Sequence, residues 1–385
     1  MSLTLKPRLL FLISEDWYFW SHRLDLARAA RDAGYEILVA TRVKDHGKRI
    51  EDEGFKLLRI CLRRRNLNPL QELFAIAEIV KLYNQVRPDI VHHVALKPIL
   101  YGSLAARIAG VPVVVNAFAG LGYAFSADSR RAAILRFCLK RALAAAVSLK
   151  HSRVVVQNAH DAEQLIQFGI VQSAQVTLIR GAGVDISKFR PSSETAGEPV
   201  VILPSRMLWS KGVDEFISSI KLLKEDGVQA RYVLAGMIDK ENPEHISETQ
   251  LQGWQKEGLV EWWGHREDMP RVLGSADIVV LPTYYGEGLP KVLLEAAACE
   301  RPLVATDVPG CREVVQDGVN GLLVPPRDAC RLAQAIRRLL QDEGLRQAMG
   351  RRGREIVLRE FSSERIASET IALYRELLMG IPVSA

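Results

Sequence analysis

A strand, a glycine-rich loop and a helix are predicted in the segment Ile278-Val-Val-Leu-Pro-Thr-Tyr-Tyr-Gly-Glu-Gly-Leu-Pro-Lys-Val-Leu-Leu-Glu-Ala-Ala-Ala298. Its first four residues form a short apolar run that is typical of a buried parallel strand. Gly286, Gly288 and Pro290 then mark a turn, and the Leu/Ala-rich stretch after them predicts a helix. The free backbone N–H groups at the start of such a helix, together with its dipole, favour binding of a phosphate.

Two glutamates, Glu287 in the loop and Glu295 in the helix, add hydrogen-bond acceptors to this phosphate site. Carboxylates suit sugar hydroxyls rather than phosphate. Taken alone, such a pair is more often a turn residue and a solvated helix charge. The chain upstream changes this interpretation, because Arg206 and Lys211 follow another apolar strand. Arginine grips phosphate oxygens with a bidentate fork and lysine adds a point charge, so this second pair suits a diphosphate.

Together, these residues resemble the retaining, nucleotide-sugar-dependent glycosyltransferases of family 4. Their α/β GT-B fold has two Rossmann-like, doubly wound domains that face each other across a cleft. The match covers most of the chain and includes Arg206…Lys211-Gly212, Ala235-Gly236, Gly264-His265, Glu287…Glu295 and the stretch from Val308 to Pro326. The resemblance implies a hexosyltransferase that moves a sugar from a UDP-linked donor to a hydroxyl group with retention of anomeric configuration.

The resemblance also implies a role for each matching residue. Arg206 and Lys211 bind the donor diphosphate, and Glu287, the third candidate catalytic residue, binds the hydroxyls of the transferred sugar. Glu295 binds the ribose hydroxyls. The other candidate donor-binding residues are Gly236, His265, Gly288 and Leu289.

The phosphate-binding candidates also suit the charge that forms on the leaving group. Arg206, Lys211 and the N–H groups of Gly288 and Leu289 can stabilise the negative charge that develops there as the glycosidic bond breaks. No metal and no cofactor other than the UDP-sugar substrate are therefore expected. The chain offers no convincing enzymic nucleophile, and the resemblance implies a same-face attack assisted by the leaving phosphate.

Bulk properties are those of a two-domain protein. With 385 residues, 48% of them hydrophobic, the chain can form two cores. The net charge of +6 permits a nucleotide, a nucleic acid or an anionic membrane as a partner. Five cysteines without zinc-ligand spacing indicate a reducing cytoplasm. No run reaches the roughly 18 apolar residues of a membrane span, so the expected location is cytoplasmic or peripheral on the inner face of the cell membrane.

Four segments make up the predicted domain organisation. Residues 1–185 alternate strand and helix patterns and form an N-terminal Rossmann-like, acceptor-binding domain. Residues 186–199 are polar and rich in proline and serine, which is typical of a linker. Residues 200–362 repeat the architecture as the nucleotide-sugar-binding domain. Residues 363–385 form a C-terminal helix that, as in GT-B proteins, packs back on the first domain.

The acceptor is expected at the carboxyl ends of the first-domain strands, where open α/β sheets bind ligands. The first loop there, residues 14–23, carries aromatic rings that either stack on a sugar or pack into the core. Trp17 and His22 are its candidate acceptor residues. Its Ser-His-Arg variant resembles the subgroup that extends polyprenyl-diphosphate-linked oligosaccharides. A second loop follows His92 and His93, which alternation places on opposite faces of the sheet, where a histidine is more often structural.

A third loop at this edge is rich in glycine, and Gly120 and Gly122 in it are expected to approach the reacting centre. Many members of the family have a histidine near positions 116–118 that contacts the donor sugar. This chain has Asn116, Ala117 and Phe118 instead. The family's histidine role therefore has no direct counterpart here.

A basic segment lies between residues 126 and 153, where one acid stands against seven bases. From Arg130 to Arg141 the bases alternate with apolar residues, as in a helix that lies on an anionic membrane surface. A core-packed helix with a solvated basic face fits the pattern equally well. The run Arg63-Arg64-Arg65 favours the membrane.

The favoured acceptor is a polyprenyl-diphosphate-linked sugar, or another glycan, in cell-surface polysaccharide or glycoprotein-glycan assembly, and the favoured donor sugar is an N-acetylhexosamine. A nucleotide-sugar 2-epimerase of the same fold is the alternative, but it needs carboxylates for elimination chemistry that the first domain does not display. A nucleic-acid-binding protein would explain the basic charge. It would leave Glu287 and Glu295 unexplained, because carboxylates repel a polyanion, so no nucleic-acid partner is expected.

Overall fold

The chain forms two compact units. The structure is a computed structural model that describes residues 6–62, 68–120, 130–149, 151–192, 197–284 and 288–380, with the backbone alone for residues 130–138. The first unit contains Met1–Ala182 and Ser363–Ala385, and the second contains Gly183–Ser362. The chain therefore passes from one unit to the other twice.

The first unit, in its described part, is built on a seven-stranded parallel sheet with the order β3-β2-β1-β4-β5-β6-β7. The strands are β1 (Arg8–Glu15), β2 (Glu36–Arg42), β3 (Lys56–Arg59), β4 (Ile90–Val94), β5 (Val113–Ala117), β6 (Ser152–Val156) and β7 (Val176–Leu178). The helices are α1 (Asp16–His22), α2 (Leu24–Asp32), α3 (Gly47–Asp52), α4 (Pro69–Val86), α5 (Leu96–Ala109), α6 (Arg130–Val147), α7 (Ala159–Gln167) and, from the end of the chain, α15 (Ser363–Met379). The strand order reverses between β1 and β4, as in a doubly wound sheet.

The second unit repeats this plan with a six-stranded parallel sheet, ordered β10-β9-β8-β11-β12-β13 over its described residues. The strands are β8 (Val200–Pro204), β9 (Arg231–Ala235), β10 (Glu261–Trp262), β11 (Ile278–Leu281), β12 (Leu303–Thr306) and β13 (Gly321–Val324). The helices are α8 (Val213–Glu225), α9 (Glu248–Lys256), α10 (Met269–Gly274), α11 (Lys291–Ala298), α12 (Pro309–Arg312), α13 (Ala329–Gln341) and α14 (Glu343–Glu360). Here the order reverses between β8 and β11. The cationic loop, residues 205–212, follows β8, and the glutamate segment, residues 282–298, follows β11.

Each sheet has a core on both of its faces, which explains why the strands read as continuous apolar runs. In β1, Leu9, Phe11 and Ile13 pack on one face, and Leu10 and Leu12 pack on the other. All five side chains are almost completely buried. Two buried faces fix the register of the strand, because a shift by one residue would exchange the two sets.

The final helix, α15, completes one face of the first unit. Ile366, Leu373 and Tyr374 belong to the same core cluster as Phe11. The hydroxyl of Tyr374 is hydrogen-bonded to Nδ1 of His92 in β4, and both side chains are buried.

The prediction of a loop over residues 14–23 is wrong, because α1 begins at Asp16, directly after β1. Asp16 is fully buried, and its Oδ1 accepts a hydrogen bond from the backbone N–H of Trp17 at 2.8 Å. Its Oδ2 accepts from the N–H groups of Lys44 at 2.7 Å and His46 at 2.8 Å. The Asp16 carboxylate thus accepts from one free N–H group at the start of α1 and connects α1 to the chain after β2.

The described residues of the predicted linker, 186–192 and 197–199, belong to the second unit. Phe189 is 7% exposed and lies in a core cluster of that unit. Its carbonyl accepts a hydrogen bond from Nη1 of Arg354 at 3.2 Å. Just upstream, the N–H of Val184 donates to the carbonyl of Phe361 at 2.9 Å. Although its composition is polar, the predicted linker segment is anchored to the second unit by one aromatic ring and by backbone hydrogen bonds.

Candidate active site

The cationic loop after β8 is held by a glycine that no other residue can replace without strain. Gly212 has φ +74° and is the N-cap of α8. A Cβ atom at this position would lie 2.1 Å from the backbone oxygen of Pro282, which follows β11. The left-handed conformation and this close approach both require glycine. Lys211, the residue before it, is therefore fixed beside the start of the glutamate segment.

Two hydrogen bonds join the same loops. The hydroxyl of Thr283 donates to the carbonyl of Ser210 at 3.1 Å, and the N–H of Tyr284 donates to the same carbonyl at 3.2 Å. The guanidinium of Arg327 lies over the ring of Tyr284, 4.4 Å from its centroid. These contacts hold the chain immediately before Glu287, which, with residues 285 and 286, lies outside the described part of the structure.

Arg206 has a partner that the sequence did not reveal. Its Nη1 lies 2.7 Å from Oδ2 of Asp239, and the two side chains are 29% and 18% exposed. Asp239 comes four residues after the end of β9, so an acid after an apolar strand was the available signal. The pair gives Arg206 a fixed direction at the carboxyl edge of the sheet, and a phosphate would have to share this guanidinium with the carboxylate.

Gly236 brings the ends of β8 and β9 together. A Cβ atom at position 236 would lie 1.7 Å from the backbone oxygen of Ser205. The backbone at Gly236 therefore lies close to the residue that follows β8. Its carbonyl accepts a hydrogen bond from Nε1 of Trp262 at 3.1 Å, which links β10 to the same edge.

His265 follows β10 in the turn that begins at Gly264, where φ is +65°. Its side chain is exposed. Trp263, two residues earlier in the chain, donates a hydrogen bond from Nε1 to Glu261 at 3.0 Å. An exposed imidazole at this strand end can contact a planar group such as a nucleobase.

Glu295 is on α11, one turn after Lys291. Its side chain is 13% exposed, and the Nζ atom of Lys291 lies 3.5 Å from its Oε1. Burial raises the pKa of Glu295 above its ordinary value, and the charge of Lys291 opposes this rise. Gly288 and Leu289, just before the helix, are buried. A carboxylate with so little access to water forms strong hydrogen bonds to hydroxyl groups that reach it.

The acceptor-side candidates lie in the first unit. Trp17 and His22 are half-buried on α1. The His22 ring stacks on Tyr18 at a centroid distance of 4.2 Å, and its Nδ1 lies 2.6 Å from the hydroxyl of Ser21. Phe19, in contrast, is fully buried in the core. Core packing thus explains Phe19, and the stacking of Trp17 on an acceptor sugar stays a prediction.

The remaining candidates of the first unit are two glycines in the loop after β5. Gly120 follows β5 with φ +97°. Gly122 lies outside the described residues.

Asn116 belongs to a buried polar network in the first unit. Its Oδ1 lies 2.8 Å from Nδ1 of His93 and accepts from the hydroxyl of Ser103 at 2.9 Å. Nε2 of His93 lies 3.0 Å from the hydroxyl of Tyr83. Burial lowers the pKa of His93 to about 4, so the imidazole is neutral at physiological pH. His92 points to the opposite face, towards Tyr374. Both strand histidines are buried and hydrogen-bonded inside the first unit, which agrees with a structural role.

A buried pair of acids, Glu15 and Asp16, lies at the end of β1 and was not among the predicted site residues. Glu15 is 4% exposed at the carboxyl end of β1 and lies 3.4 Å from both Arg42 and Lys44. Two acids directly after an apolar strand were the signal in the sequence. They place a compact set of opposite charges at the edge of the sheet where ligands of this fold bind.

Among the residues that the structure describes, no group of three or more His, Cys, Asp or Glu side chains is arranged to hold a metal ion. Among the same residues, no helix has the length and apolar character needed to cross a membrane.

Two family models match this chain. Residues 8–152 match the model described as glycosyl transferase 4-like, and residues 198–342 match the model described as glycosyl transferases group 1. The two matches fall in the two units and together cover most of the chain. The chain belongs to this family of glycosyltransferases.

One relative matches almost from end to end. The N,N'-diacetylbacillosaminyl-diphospho-undecaprenol alpha-1,3-N-acetylgalactosaminyltransferase of Campylobacter jejuni is 29% identical over 390 residues, which cover 97% of this chain and 100% of the relative.

Solved structures share the fold. A sucrose-phosphate synthase from Thermosynechococcus elongatus has a TM-score of 0.80 at 22% identity and covers 98% of this chain and 100% of its own. HepE of Anabaena, in complex with UDP and glucose, has a TM-score of 0.79 at 20% identity and covers 96% of this chain and 100% of its own. The fold is GT-B, as the sequence predicted.

Proposed function

We propose that this glycosyltransferase is a hexosyltransferase that moves an N-acetylhexosamine from a UDP-linked donor to a sugar carried on polyprenyl diphosphate, with retention of anomeric configuration. The observation that carries this proposal is the end-to-end similarity to the Campylobacter jejuni enzyme, whose name specifies an undecaprenol-diphosphate-linked acceptor and transfer of N-acetylgalactosamine. The reaction serves assembly of a cell-surface polysaccharide or glycoprotein glycan at the inner face of the cell membrane.

The donor side is assigned to the second unit. HepE, which has the same fold, binds UDP and glucose, and this supports a UDP-sugar as the donor here. Lys211 and Arg206 take the diphosphate, and the buried Glu295 takes the ribose hydroxyls. The loop of His265 faces the nucleobase, and Glu287 holds the transferred sugar.

The proposed chemistry depends on positive charge at the leaving group. When the glycosidic bond breaks, the β-phosphate gains negative charge. The Lys211 ammonium, the Arg206 guanidinium and the N–H groups of Gly288 and Leu289 stabilise it. Asp239 keeps the guanidinium oriented before the donor arrives. The acceptor hydroxyl attacks the anomeric carbon from the face that the phosphate leaves. The proton of this hydroxyl passes to the departing phosphate oxygen.

The acceptor side is assigned to the first unit. Trp17, His22, Gly120 and Gly122 are the proposed contacts to the acceptor. The basic helix α6, from Arg130 to Arg141, is proposed to attract anionic lipids. The Nζ atom of Lys140 lies 3.4 Å from the centroid of the Phe168 ring, so this ammonium also packs on the protein.

A donor and acceptor matrix tests the proposal. The purified protein is incubated with UDP-N-acetylgalactosamine, UDP-N-acetylglucosamine, UDP-galactose or UDP-glucose, each with and without a short-chain polyprenyl-diphosphate-linked amino sugar. The expected result is UDP release only when one donor and the acceptor are both present, with an α-linked product from an α-linked donor. Conversion of the donor sugar without UDP release would establish the 2-epimerase instead. Absence of any acceptor-dependent release over the matrix would refute the proposed substrates.

A further inference from the structure

Helix α4 exposes a stripe of large apolar side chains in the first unit. Leu70 is 67% exposed, Leu73 is 63% exposed and Phe74 is 74% exposed. Their spacing of three and four residues places them on one face of the helix. A surface helix of a globular domain normally turns its polar face outwards. The three adjacent apolar side chains form an exposed patch of the kind that marks an interaction surface.

The patch continues onto the neighbouring helix. Leu104 and Ile108, one turn apart on α5, are 42% and 61% exposed. α4 and α5 pack against each other. An open groove of about 660 Å³ follows α4, lined by Leu73 and Val80 of that helix and by Ile108 of α5. The exposed apolar surface therefore spans two helices.

The helix layer that carries the patch, formed by α4, α5 and α6, has an excess of bases. The two acids of α4 are engaged: Glu72 lies 2.8 Å from Nζ of Lys97, and Glu78 accepts a hydrogen bond from the N–H of Cys61 at 2.9 Å. α5 and α6, which pack on each other, contain no Asp or Glu. The bases of the three helices are Lys81, Lys97, Arg107, Arg130, Arg131, Arg136, Lys140 and Arg141. Eight bases against two acids give this layer a surplus of six positive charges.

The topology places the α4 end of the patch at the edge of the sheet where the acceptor is expected. α4 connects β3 to β4, and these strands point in the same direction. The helix must run back along the sheet, so its first turns, with Leu70, Leu73 and Phe74, lie towards the carboxyl ends of the strands. α1, with Trp17, starts from the same edge of the sheet at the end of β1.

We propose that the exposed face of α4 and α5 inserts into the headgroup and acyl boundary of an anionic lipid bilayer. The Leu and Phe side chains would enter the apolar layer, and the surrounding bases would contact lipid phosphates. This inference rests on the proposed lipid-linked acceptor, because insertion at this edge brings a polyprenyl diphosphate in the bilayer next to the acceptor side. It adds an apolar anchor to the electrostatic attraction proposed for α6.

Sedimentation with vesicles tests the anchor without any sugar chemistry. The full chain is mixed with equimolar phosphatidylglycerol and phosphatidylcholine vesicles that contain neither donor nor acceptor. The double variant Leu73→Glu/Phe74→Glu should bind at least about tenfold more weakly than the wild type, because it loses two apolar side chains and adds two like charges. Leu358→Glu is the matched control, since Leu358 is 43% exposed on helix α14 of the second unit. Thermal unfolding and UDP binding should be the same in all three proteins.

Two outcomes overturn the anchor. In the first, the double variant and the wild type bind the vesicles equally. In the second, light scattering shows a dimeric wild type and a monomeric double variant while neither binds vesicles, which assigns the patch to a second copy of the chain. Acceptor-dependent UDP release in detergent is measured in parallel. It would persist if only the anchor were wrong, and it would be absent if the proposed transferase reaction were wrong.

Discussion

The proposed contact between Glu295 and the ribose can be tested with a ligand that lacks the ribose hydroxyls. Glu295→Gln keeps the shape of the side chain and removes its charge. Because the carboxylate is only 13% exposed, its hydrogen bond to a hydroxyl is of the charge-assisted kind, worth about 1.5–3 kcal/mol. The substitution should therefore weaken UDP binding roughly 10- to 150-fold.

Calorimetric titration with UDP and with 2′,3′-dideoxy-UDP completes a double-mutant cycle. The wild type should discriminate between the two ligands, and Glu295→Gln should discriminate clearly less, because its amide forms weaker hydrogen bonds to the ribose hydroxyls than the carboxylate does. Glu343→Gln, at the exposed start of α14 in the same unit, is the control and should behave as the wild type. If Glu295→Gln weakens UDP and the dideoxy ligand by the same factor, the residue does not contact the ribose.

The same substitution should stabilise the ligand-free protein. Burial raises the pKa of Glu295 in the folded chain above its value in the unfolded chain. Between these two pKa values the folded state binds more protons, so the free energy of unfolding falls as pH rises through this window. Glu295→Gln removes the cost of the buried charge. Its unfolding temperature should exceed that of the wild type at neutral pH, and the difference should shrink below the pKa of an unfolded glutamate. If the two proteins differed in unfolding temperature by the same amount at neutral pH and below the pKa of an unfolded glutamate, this account would be contradicted.

Three further predictions concern the loops and the final helix. Gly212→Ala should lower the free energy of unfolding by more than about 2 kcal/mol, because the residue has a left-handed φ and the added methyl group clashes with the backbone of Pro282. Gly227→Ala is the control: φ is +73° there but the space around it is open, so the loss in urea unfolding should be only about 1 kcal/mol. Lys211→Ala and Arg206→Ala should each weaken UDP binding by about 1.5–3 kcal/mol in calorimetry, and normal affinity in both would remove them from the donor site. Tyr374→Phe should lower the free energy of unfolding by about 1–3 kcal/mol, because it leaves a buried strand histidine without its hydroxyl partner, and an unchanged value would show that this hydrogen bond is not needed.

The strands of both units could be predicted from the sequence because each is buried on two faces. Runs such as Leu9–Ile13 and Ile278–Leu281 are apolar without interruption, and this local signal needs no knowledge of the fold. The strand-end positions of Arg206 and Lys211 followed from the same signal, and so did the opposite faces of His92 and His93.

Long-range contacts explain what the sequence did not reveal. Asp16, the first residue of α1, accepts hydrogen bonds from the N–H groups of residues 28 and 30 positions further on. Asp239 pairs with a guanidinium 33 positions away. No local pattern encodes such pairs. The stripe on α4 escaped notice for another reason: apolar residues with helical spacing predict a buried face, and only the packing of α4 shows which face is covered.

The place of α15 in the first unit has a consequence for the order of events during synthesis. A core face of that unit requires residues that are made after the whole second unit, because Tyr374 meets His92 across 282 positions of the chain. At about 5–20 residues per second, a ribosome needs roughly 10–40 s to travel from residue 182 to residue 379. Until α15 is made, the part of this core that Ile366, Leu373 and Tyr374 complete lacks their cover, although the strands of both units are finished at residue 324. The part of the chain that is translated first is therefore the part that finishes folding last, and chaperones have their longest opportunity to bind there.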